Sequence, residues 1–281
     1  MVGIRELEAL AAEFAAGPLL VHSDVMKAAT FVGEYRGKEA FLESHWNILQ
    51  RIAQGRPLWL PGFNYDFVKT GRFDVRHCPS QVGALSEFVR CQHADWRSEV
   101  PVYSIVGTGT PPTATQEDVL YPFGKNSAFE ELLAHEGQLL FYGSAYVNTF
   151  GHYLEQLGNN LPYRYPKRFP GHLITTAGQS RQVTVEYHCR PLGYPFQYDV
   201  DYILEDLHQQ GIARFLAPED RTVISIPTRS LADYWHARFQ DDPYFLLTEE
   251  TRNWVVEKVQ QLGRPFRLTD FEPAETTRAA G

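Results

Sequence analysis

Helix-like and strand-like segments alternate along the first half of this 281-residue chain. Apolar residues recur at helical spacing in each helix-like segment, and a short continuous apolar run follows it. The helix-like segments cover residues 4–14, 42–53, 82–89 and 129–133, and the apolar runs cover residues 19–22, 58–60, 103–106 and 139–142. Strands that are separated by helices tend to pair in parallel, with the helices packed on the sheet faces. The pattern therefore predicts an α/β fold: a mixed, largely parallel sheet flanked by helices on both faces.

The second half of the chain alternates less regularly. Residues 182–187 and 222–226 are predicted strands, and residues 202–209 are a predicted helix. We find no internal repeat and no long linker, which favours a single elaborated domain over residues 1–272. Residues 273–281 have the composition of a disordered tail.

Composition narrows the function classes. Hydrophobic residues at 43% and charged residues at 21% are typical of a soluble globular protein. The net charge of -8 is opposite in sign to that of most duplex nucleic-acid binders. Cys78, Cys91 and Cys189 lack close pairing and indicate neither a disulfide framework nor a zinc knuckle. Glu13 interrupts the only apolar stretch that resembles a signal peptide, so we expect a cytoplasmic location and no membrane partner.

The segment after the fourth apolar run carries the most chemical information. Thr149, His152 and Glu155 are three residues apart, so on a helix their side chains lie along one side. Glu155 can then hold one ring nitrogen of His152 while the other faces a cleft, which is the arrangement of an oriented general base. A helix start after a strand end, with Thr149 as the expected N-cap, also favours a ligand site. A cap followed by a surface ion pair would give the same spacing, and the spacing alone does not separate the two.

Four further motifs accompany Thr149-x-x-His152-x-x-Glu155. In chain order they are Val21-His22-Ser23-Asp24, Asp74-Val75-Arg76-x-x-Pro79-Ser80-x-Val82-Gly83-Ala84-Leu85, Arg97-Ser98-x-x-Pro101 and Gly124-x-x-Ser127-x-Phe129. Together they resemble the aminoglycoside 3-N-acetyltransferase family, from about residue 19 to residue 226. The resemblance implies a mixed α/β fold unlike that of the GCN5-type acetyltransferases. It also implies direct transfer of an acyl group, usually acetyl, from coenzyme A to a sugar amine.

Two positions depart from the family pattern. Val100 stands where the family typically has His in Arg-Ser-x-His-Pro, and Asp24 stands where the family has the second Ser of Ser-Ser. The first change removes a polar active-site group, and the second alters the hydrogen bonds near the implied cofactor. Both departures weigh against aminoglycoside specificity.

Transfer to an amine requires a base, because a sugar amine is mostly ammonium at neutral pH. Neutral His152 can accept that proton, while Glu155 fixes its tautomer and stabilises the imidazolium. The Thr149 hydroxyl and the backbone N–H groups at the helix start are candidate donors to the oxyanion. Gly151 would let a substrate approach the backbone closely. Direct transfer needs no covalent enzyme intermediate, and the chain has no motif for a Ser or Cys nucleophile.

The resemblance also suggests which residues bind acetyl coenzyme A (acetyl-CoA). Ser23, Arg97, Ser98 and Ser127 lie on family-like segments, where they could contact the cofactor or cap helices and turns.

Residues 162–169 interleave three cations with three aromatic residues in an otherwise acidic chain. Arg164 and Lys167 could bind phosphates, and Tyr163 and Tyr165 could stack on a base, so these four side chains suggest a nucleotide-linked amino sugar. The Tyr-Arg-Tyr segment is similar to segments of family members that look like surface-polysaccharide enzymes. A solvated basic loop with its tyrosines packed on a sheet edge is the alternative.

The sequence therefore predicts an acyl-CoA-dependent N-acyltransferase that acts on the primary amine of a small-molecule amino sugar, preferably nucleotide-linked. An aminoglycoside 3-N-acetyltransferase that confers antibiotic resistance is the alternative within this class. A non-catalytic sugar- or nucleotide-binding protein is the alternative of another class. A metal hydrolase would require His152, Glu155, His188 and Cys189 as ligands, and the chain has no HExxH or paired-cysteine motif, so we expect no metal. A homo-oligomer is compatible with the sequence.

Overall fold

The computed structural model describes residues 3–113, 116–157, 161–216 and 221–272. The predicted tail at residues 273–281 lies outside these ranges. Helices α1 to α9 span Ile4–Ala11, Gly37–Ala53, Phe67–Thr70, Ala84–Gln92, Ala128–Ala134, Thr149–Gln156, Val200–Gln209, Thr228–Asp241 and Glu249–Leu262. Strands β1 to β11 span Leu19–Ser23, Leu58–Pro61, Arg72–Asp74, Trp96–Arg97, Ile105–Gly107, Val119–Leu120, Gln138–Tyr142, Tyr165–Ile174, Ser180–Cys189, Arg214–Phe215 and Val223–Pro227.

The larger sheet has seven strands in the order β10-β11-β7-β1-β2-β5-β4. Its centre is parallel: β1 pairs with β2 on one side and with β7 on the other. The strands outside this centre are antiparallel to their neighbours. The predicted mixed sheet is confirmed. Of the four strands that the helix-strand alternation predicted, β1, β2 and β7 are parallel, whereas the strand predicted at residues 103–106 is β5 and pairs antiparallel with β2.

Helices cover both faces of this sheet because successive strand residues point to opposite sides. Leu139 and Phe141 of β7 belong to a core that also contains residues of α5 to α9. Leu140 and Tyr142 belong to a second core, which contains residues of α1, α2 and α4. The predicted helical layers on both faces are therefore confirmed.

A second sheet has four strands in the order β3-β8-β9-β6. Its centre is the antiparallel pair β8 and β9, in which Tyr165 lies opposite Cys189. The sequence predicted only part of β9 and treated residues 162–169 as a loop, whereas β8 begins at Tyr165. Pro166 and Pro170 are untypical of a strand, so the sequence pattern did not predict β8. Both are tolerated because β3 pairs with β8 only from His172 onward. At the prolines, one side of β8 therefore has no partner strand among the residues that the structure describes.

The connection from β7 to α6 brings the motif helix to the end of the parallel strands. Gly143 has a positive φ of 70°, and a Cβ there would lie 2.2 Å from the carbonyl oxygen of Asp24. The chain can therefore turn against the end of β1 only with glycine at this position. Among the helices of the described residues, none is both long and apolar enough to cross a membrane.

Candidate active site

Helix α6 carries the predicted base. Phe150, Tyr153 and Leu154 pack into the core, which leaves His152 on another side of the helix. The N-cap residue is Asn148, so the expectation that Thr149 is the cap is wrong. Thr149 occupies the first helical position and is buried, and it does not line the cavity described below.

Gly151 makes room for Asn148 rather than for a substrate. A Cβ at Gly151 would lie 1.5 Å from Asn148 Oδ1 and 2.7 Å from the Trp235 ring. Asn148 Oδ1 also accepts a hydrogen bond from the Tyr146 hydroxyl at 3.1 Å. Any side chain at position 151 would therefore displace the Asn148 amide.

Glu155 is the centre of a buried hydrogen-bond network. Its side chain is fully buried, and Oε2 lies 2.8 Å from His152 Nδ1 and 3.0 Å from Arg164 Nη2. The hydroxyls of Tyr198 and Tyr163 donate to Oε1 at 2.8 Å and 3.1 Å. A buried carboxylate with these partners is not part of a surface ion pair, so that alternative for the motif is wrong.

These contacts determine which nitrogen of His152 carries the proton when the ring is neutral. Nδ1 lies within hydrogen-bond distance of both Glu155 Oε2 and Arg164 Nη2. An ionised carboxylate can only accept and a guanidinium can only donate. Arg164 Nη2 can direct its two hydrogens to Glu155 and to the Tyr198 hydroxyl. We therefore assign the proton to Nδ1, donated to Glu155, which leaves the lone pair on Nε2.

The charge states at neutral pH follow from the same network. Burial lowers the pKa of His152, Arg164 lowers it further, and Glu155 acts in the opposite direction. Burial by itself would raise the pKa of Glu155, but Arg164 and the hydrogen bond from His152 outweigh it, and the pKa falls to about 2. Near pH 7 the site therefore holds a neutral imidazole beside an ionised carboxylate.

His152 faces a cavity of about 740 Å³, and its side chain keeps 28% of its surface exposed. This volume lies within the range of roughly 300–1,000 Å³ that is typical of small-molecule sites. Aromatic rings form much of the wall. The ring of Phe123 packs edge-on against the His152 ring, with 5.6 Å between the two ring centres. The aromatic lining residues are Tyr103, Phe123, Phe169, Tyr187, Phe196 and Tyr198.

The four candidate cofactor residues do not line this cavity. Arg97 is buried and donates to Ser104 Oγ and to the carbonyl oxygens of Val75, Cys78 and Gly62.

The three serines lie at a turn, a helix start and a strand end. Ser98 Oγ accepts from the Ile105 N–H at 2.8 Å, and Ser127 caps α5 by accepting from the Glu130 N–H at 3.1 Å. Ser23 lies at the end of β1, next to Gly143. The geometry thus favours the capping and turn roles for Ser98 and Ser127 and an internal structural role for Arg97.

The proposed nucleotide clamp is not formed. Tyr163 and Tyr165 are fully buried, and their hydroxyls donate to Glu155 and to Glu272, so neither ring can stack on a base. Arg164 lines the cavity, but its guanidinium contacts Glu155 and donates to the His188 carbonyl oxygen at 2.8 Å. Lys167 also lines the cavity and is paired with Glu272.

Three residues of the site escaped the sequence reasoning. Tyr198 contacts Glu155 from 43 positions away, and Arg190 reaches the cavity from the end of β9. No local pattern marks either of them. Asn148 was within reach of sequence reasoning, because it is adjacent to the motif and belongs to the residue types preferred at N-caps.

The ligand set of the metal alternative is not assembled. Throughout the described ranges, no group of three or more His, Cys, Asp or Glu side chains is placed to hold a metal ion. Glu155 is occupied by the contacts above, and burial raises the pKa of the Cys189 thiol to about 11, which disfavours the thiolate form needed for ligation.

Known proteins resemble the chain in sequence and in fold. A family model described as aminoglycoside 3-N-acetyltransferase matches residues 45–240. Among solved structures, AAC-IIIb in a binary complex with CoASH is 19% identical with a TM-score of 0.62, and the match covers 84% of this chain and 96% of that chain. The apoenzyme of the aminoglycoside acetyltransferase AAC(3)-IVa is 21% identical with a TM-score of 0.62, covering 88% and 91%. YokD from Bacillus subtilis is 11% identical with a TM-score of 0.59, covering 85% and 93%. A search of curated proteins found no match.

A mixed α/β sheet carries a histidine that is oriented by a buried carboxylate and faces an aromatic cavity of small-molecule size. The chain belongs to the aminoglycoside 3-N-acetyltransferase family, since the family model matches well over half of its length. It is an acetyl-CoA-dependent N-acetyltransferase, so the predicted enzyme class and co-substrate are confirmed. The alternative of a non-catalytic binding protein is set aside.

Proposed function

We propose that this enzyme acetylates a primary amine of an amino sugar and that His152 is the general base. The observation that carries the proposal is the ring of His152, which is neutral, held at Nδ1 by the buried Glu155 and exposed to the cavity. Acetyl-CoA supplies the acetyl group as a thioester. The remaining chemistry is proton transfer and charge stabilisation, which this chain's side chains can perform.

In the proposed reaction, the amine nitrogen attacks the carbonyl carbon of the acetyl thioester while His152 Nε2 removes its proton. The resulting imidazolium is stabilised by Glu155, and Arg164 and Tyr198 keep that carboxylate in place. The C–S bond breaks, and the departing sulfur of coenzyme A takes up a proton from the His152 imidazolium to leave as the free thiol. Such general base assistance typically contributes about a hundredfold to ten-thousandfold to the rate.

Asn148 is a better candidate than Thr149 for the oxyanion donor. Its side-chain Nδ2 is buried without a hydrogen-bond partner among the residues that the structure describes, and Asn148 lines the cavity. A buried amide donor without a partner is costly, so such a group is expected to have a functional partner. We propose that this partner is the oxygen of the acetyl carbonyl during attack.

Exchange of Asn148 tests this role. Asn148→Asp keeps the oxygen that accepts from Tyr146 and removes the N–H donor, whereas Asn148→Ala removes both. We expect both variants to lower kcat by about a hundredfold, as loss of one oxyanion donor typically does. A folded Asn148→Asp variant with wild-type kcat would transfer the role to another donor.

Two acceptors are open within this function. Membership of the family, and the aminoglycoside acetyltransferases among the similar structures, favour an aminoglycoside. The proposal of a nucleotide-linked amino sugar is weakened, because Tyr163 and Tyr165 are buried and cannot stack on a nucleotide base. The aminoglycoside is therefore the better supported of the two by comparison with known proteins.

A thiol-release assay tests the proposed function directly. The purified protein is incubated with acetyl-CoA and with separate panels of aminoglycosides, simple amino sugars and nucleotide-linked amino sugars. We expect amine-dependent release of free coenzyme A, and a mass increase of one acetyl group on the accepted amine. Failure of every amine to stimulate thiol release would contradict the proposed function.

A further inference from the structure

The charges that line the cavity are unsuited to a polycation. The described lining contains the cations Arg164, Lys167 and Arg190 and a single carboxylate, that of Glu272. In a chain with a net charge of -8, this surface is an exception. An acceptor with several ammonium groups would need several carboxylates as partners.

The single lining carboxylate is already in use. One Glu272 oxygen pairs with Lys167 Nζ, and the other accepts from the Tyr165 hydroxyl at 3.2 Å. Lys167 is likewise neutralised, and the Arg164 charge is matched by Glu155. The opposite charges within each of these pairs neutralise each other. Arg190 is therefore the uncompensated charge of the described lining.

Arg190 has donors to spare. Its Nη1 donates to the carbonyl oxygen of Phe196, and its guanidinium lies 5.9 Å from the centre of the Phe196 ring. In the described part of the chain Arg190 forms no ion pair, and it is an exposed residue directly after β9. A guanidinium has five N–H donors in a planar fork, which matches the oxygens of a phosphate or a carboxylate.

The cavity lining also contains exposed aliphatic side chains. Val68, Val147, Leu192 and Val200 line the cavity and are exposed, with Leu192 keeping 66% of its surface accessible. Exposed aliphatic groups around a site favour contact with the uncharged parts of a ligand rather than with its ammonium groups.

We propose that Arg190 binds an acidic group, a phosphate or a carboxylate, on the amine acceptor, so that the acceptor is an anionic amino sugar rather than a polycationic one. This inference rests on the proposed function and specifies its substrate. Arg190 acts as a specificity-determining residue, because it contacts a part of the acceptor that does not react. Coenzyme A also carries phosphates, and the test below separates the two sources of anion.

The experiment compares acceptors that share one amine and differ in charge. The pairs are glucosamine with glucosamine 6-phosphate, and methyl glucosaminide with uridine diphosphate glucosamine; kanamycin serves as the polycation. Thiol release is measured for the wild-type protein, Arg190→Gln and Arg190→Lys. Arg36→Gln is the control, since Arg36 is an exposed arginine that does not line the cavity.

We expect wild-type kcat/KM to be at least about tenfold higher for the phosphorylated member of a pair, since a hydrogen bond to a charged group typically exceeds the free energy of one decade. Arg190→Gln should remove this preference while the KM for acetyl-CoA stays unchanged. Arg190→Lys should retain part of it, and Arg36→Gln should retain all of it.

Four results would overturn the inference. Equal kcat/KM for charged and uncharged members of a pair, or a preference for kanamycin, would contradict an anionic acceptor while leaving acetyl transfer intact. A rise in the KM for acetyl-CoA in Arg190→Gln, with the acceptor preference unchanged, would assign Arg190 to the phosphates of coenzyme A. Absence of transfer to every amine would contradict the proposed function, and this inference would fall with it.

Discussion

Three neighbouring residues determine the tautomer and the charge environment of His152. Glu155 fixes the Nδ1 proton, Arg164 keeps Glu155 ionised, and the Tyr198 hydroxyl bridges the two. The sequence predicted the His152 and Glu155 pair because residues three apart on a helix are neighbours. It could not predict Tyr198, because the fold brings that residue in from a distant part of the chain.

Replacing Arg164 should change both the pH profile and the stability. Arg164→Met removes a charge that lowers the pKa of His152, so the acidic limb of kcat/KM should move to higher pH. The variant also leaves the buried Glu155 without its cation, which we expect to cost about 3–5 kcal/mol in free energy of unfolding.

Arg164→Lys is the matched control, because it keeps the positive charge and loses the planar fork. Its acidic limb should lie between those of the wild type and Arg164→Met. An unchanged acidic limb in a folded Arg164→Met protein would contradict the proposed influence on His152. The two quantities are measured by rate profiles from pH 5 to pH 8 and by urea unfolding at pH 7.

At the scale of elements, the start of α6 and the strand β8 show where local patterns succeed and fail. The apolar run of β7 and the helical spacing after it predicted the strand and the helix, and only the N-cap was misplaced by one residue. In β8 the prolines at 166 and 170 conceal a strand whose partner, β9, lies later in the chain. Pairing of this kind is decided by tertiary contacts rather than by local propensity.

Gly151→Ala should disturb the start of α6. The added Cβ would overlap Asn148 Oδ1, so the amide must move or the helix must shift. We expect a loss of about 1–3 kcal/mol in free energy of unfolding, as for other overpacked sites, together with a lower kcat because Asn148 is displaced.

Gly33→Ala is the control for this change, because a Cβ at Gly33 would meet no atom within 4 Å. It should leave both stability and kcat close to those of the wild type. Equal stability of Gly151→Ala and Gly33→Ala in urea unfolding would show that Asn148 does not require the glycine.

At the scale of the whole molecule, the helix-strand alternation predicted the layered sheet, whereas the cavity could not be predicted. The cavity is lined by residues from several separate segments, among them α6, β8, β9 and the chain before α7. The charges of its lining come together only when the fold brings these segments into contact. Local sequence patterns do not indicate which distant segments will pair, so they could not predict the cavity.

Two buried histidines outside the cavity, His22 and His45, should make the protein sensitive to acid. Burial lowers the pKa of His22 and of His45 to about 4, from an ordinary value of 6.5. Their neutral forms therefore favour the folded state fully above pH 6.5, and this contribution is lost as the pH falls towards 4. Each histidine should reduce the free energy of unfolding by up to about 1.4 kcal/mol per pH unit in that interval.

Glu155 should add a second interval of lost stability. Its pKa is lowered to about 2, so the stabilisation is present above pH 4.5 and is lost as the pH falls through 2. Urea unfolding of the wild type and of His22→Gln between pH 7 and pH 4 checks the first interval. A slope that is unchanged in His22→Gln would show that this histidine does not contribute.

We propose that neutral His152 accepts the proton of the attacking amine. The most direct test of this claim is kcat for acetyl transfer by His152→Ala with an accepted amine, beside the exposed control His172→Ala. A drop of about a hundredfold to ten-thousandfold in His152→Ala, with loss of the acidic limb and an unchanged fold, is the predicted result. Turnover close to that of the wild type by a folded His152→Ala protein would contradict the claim.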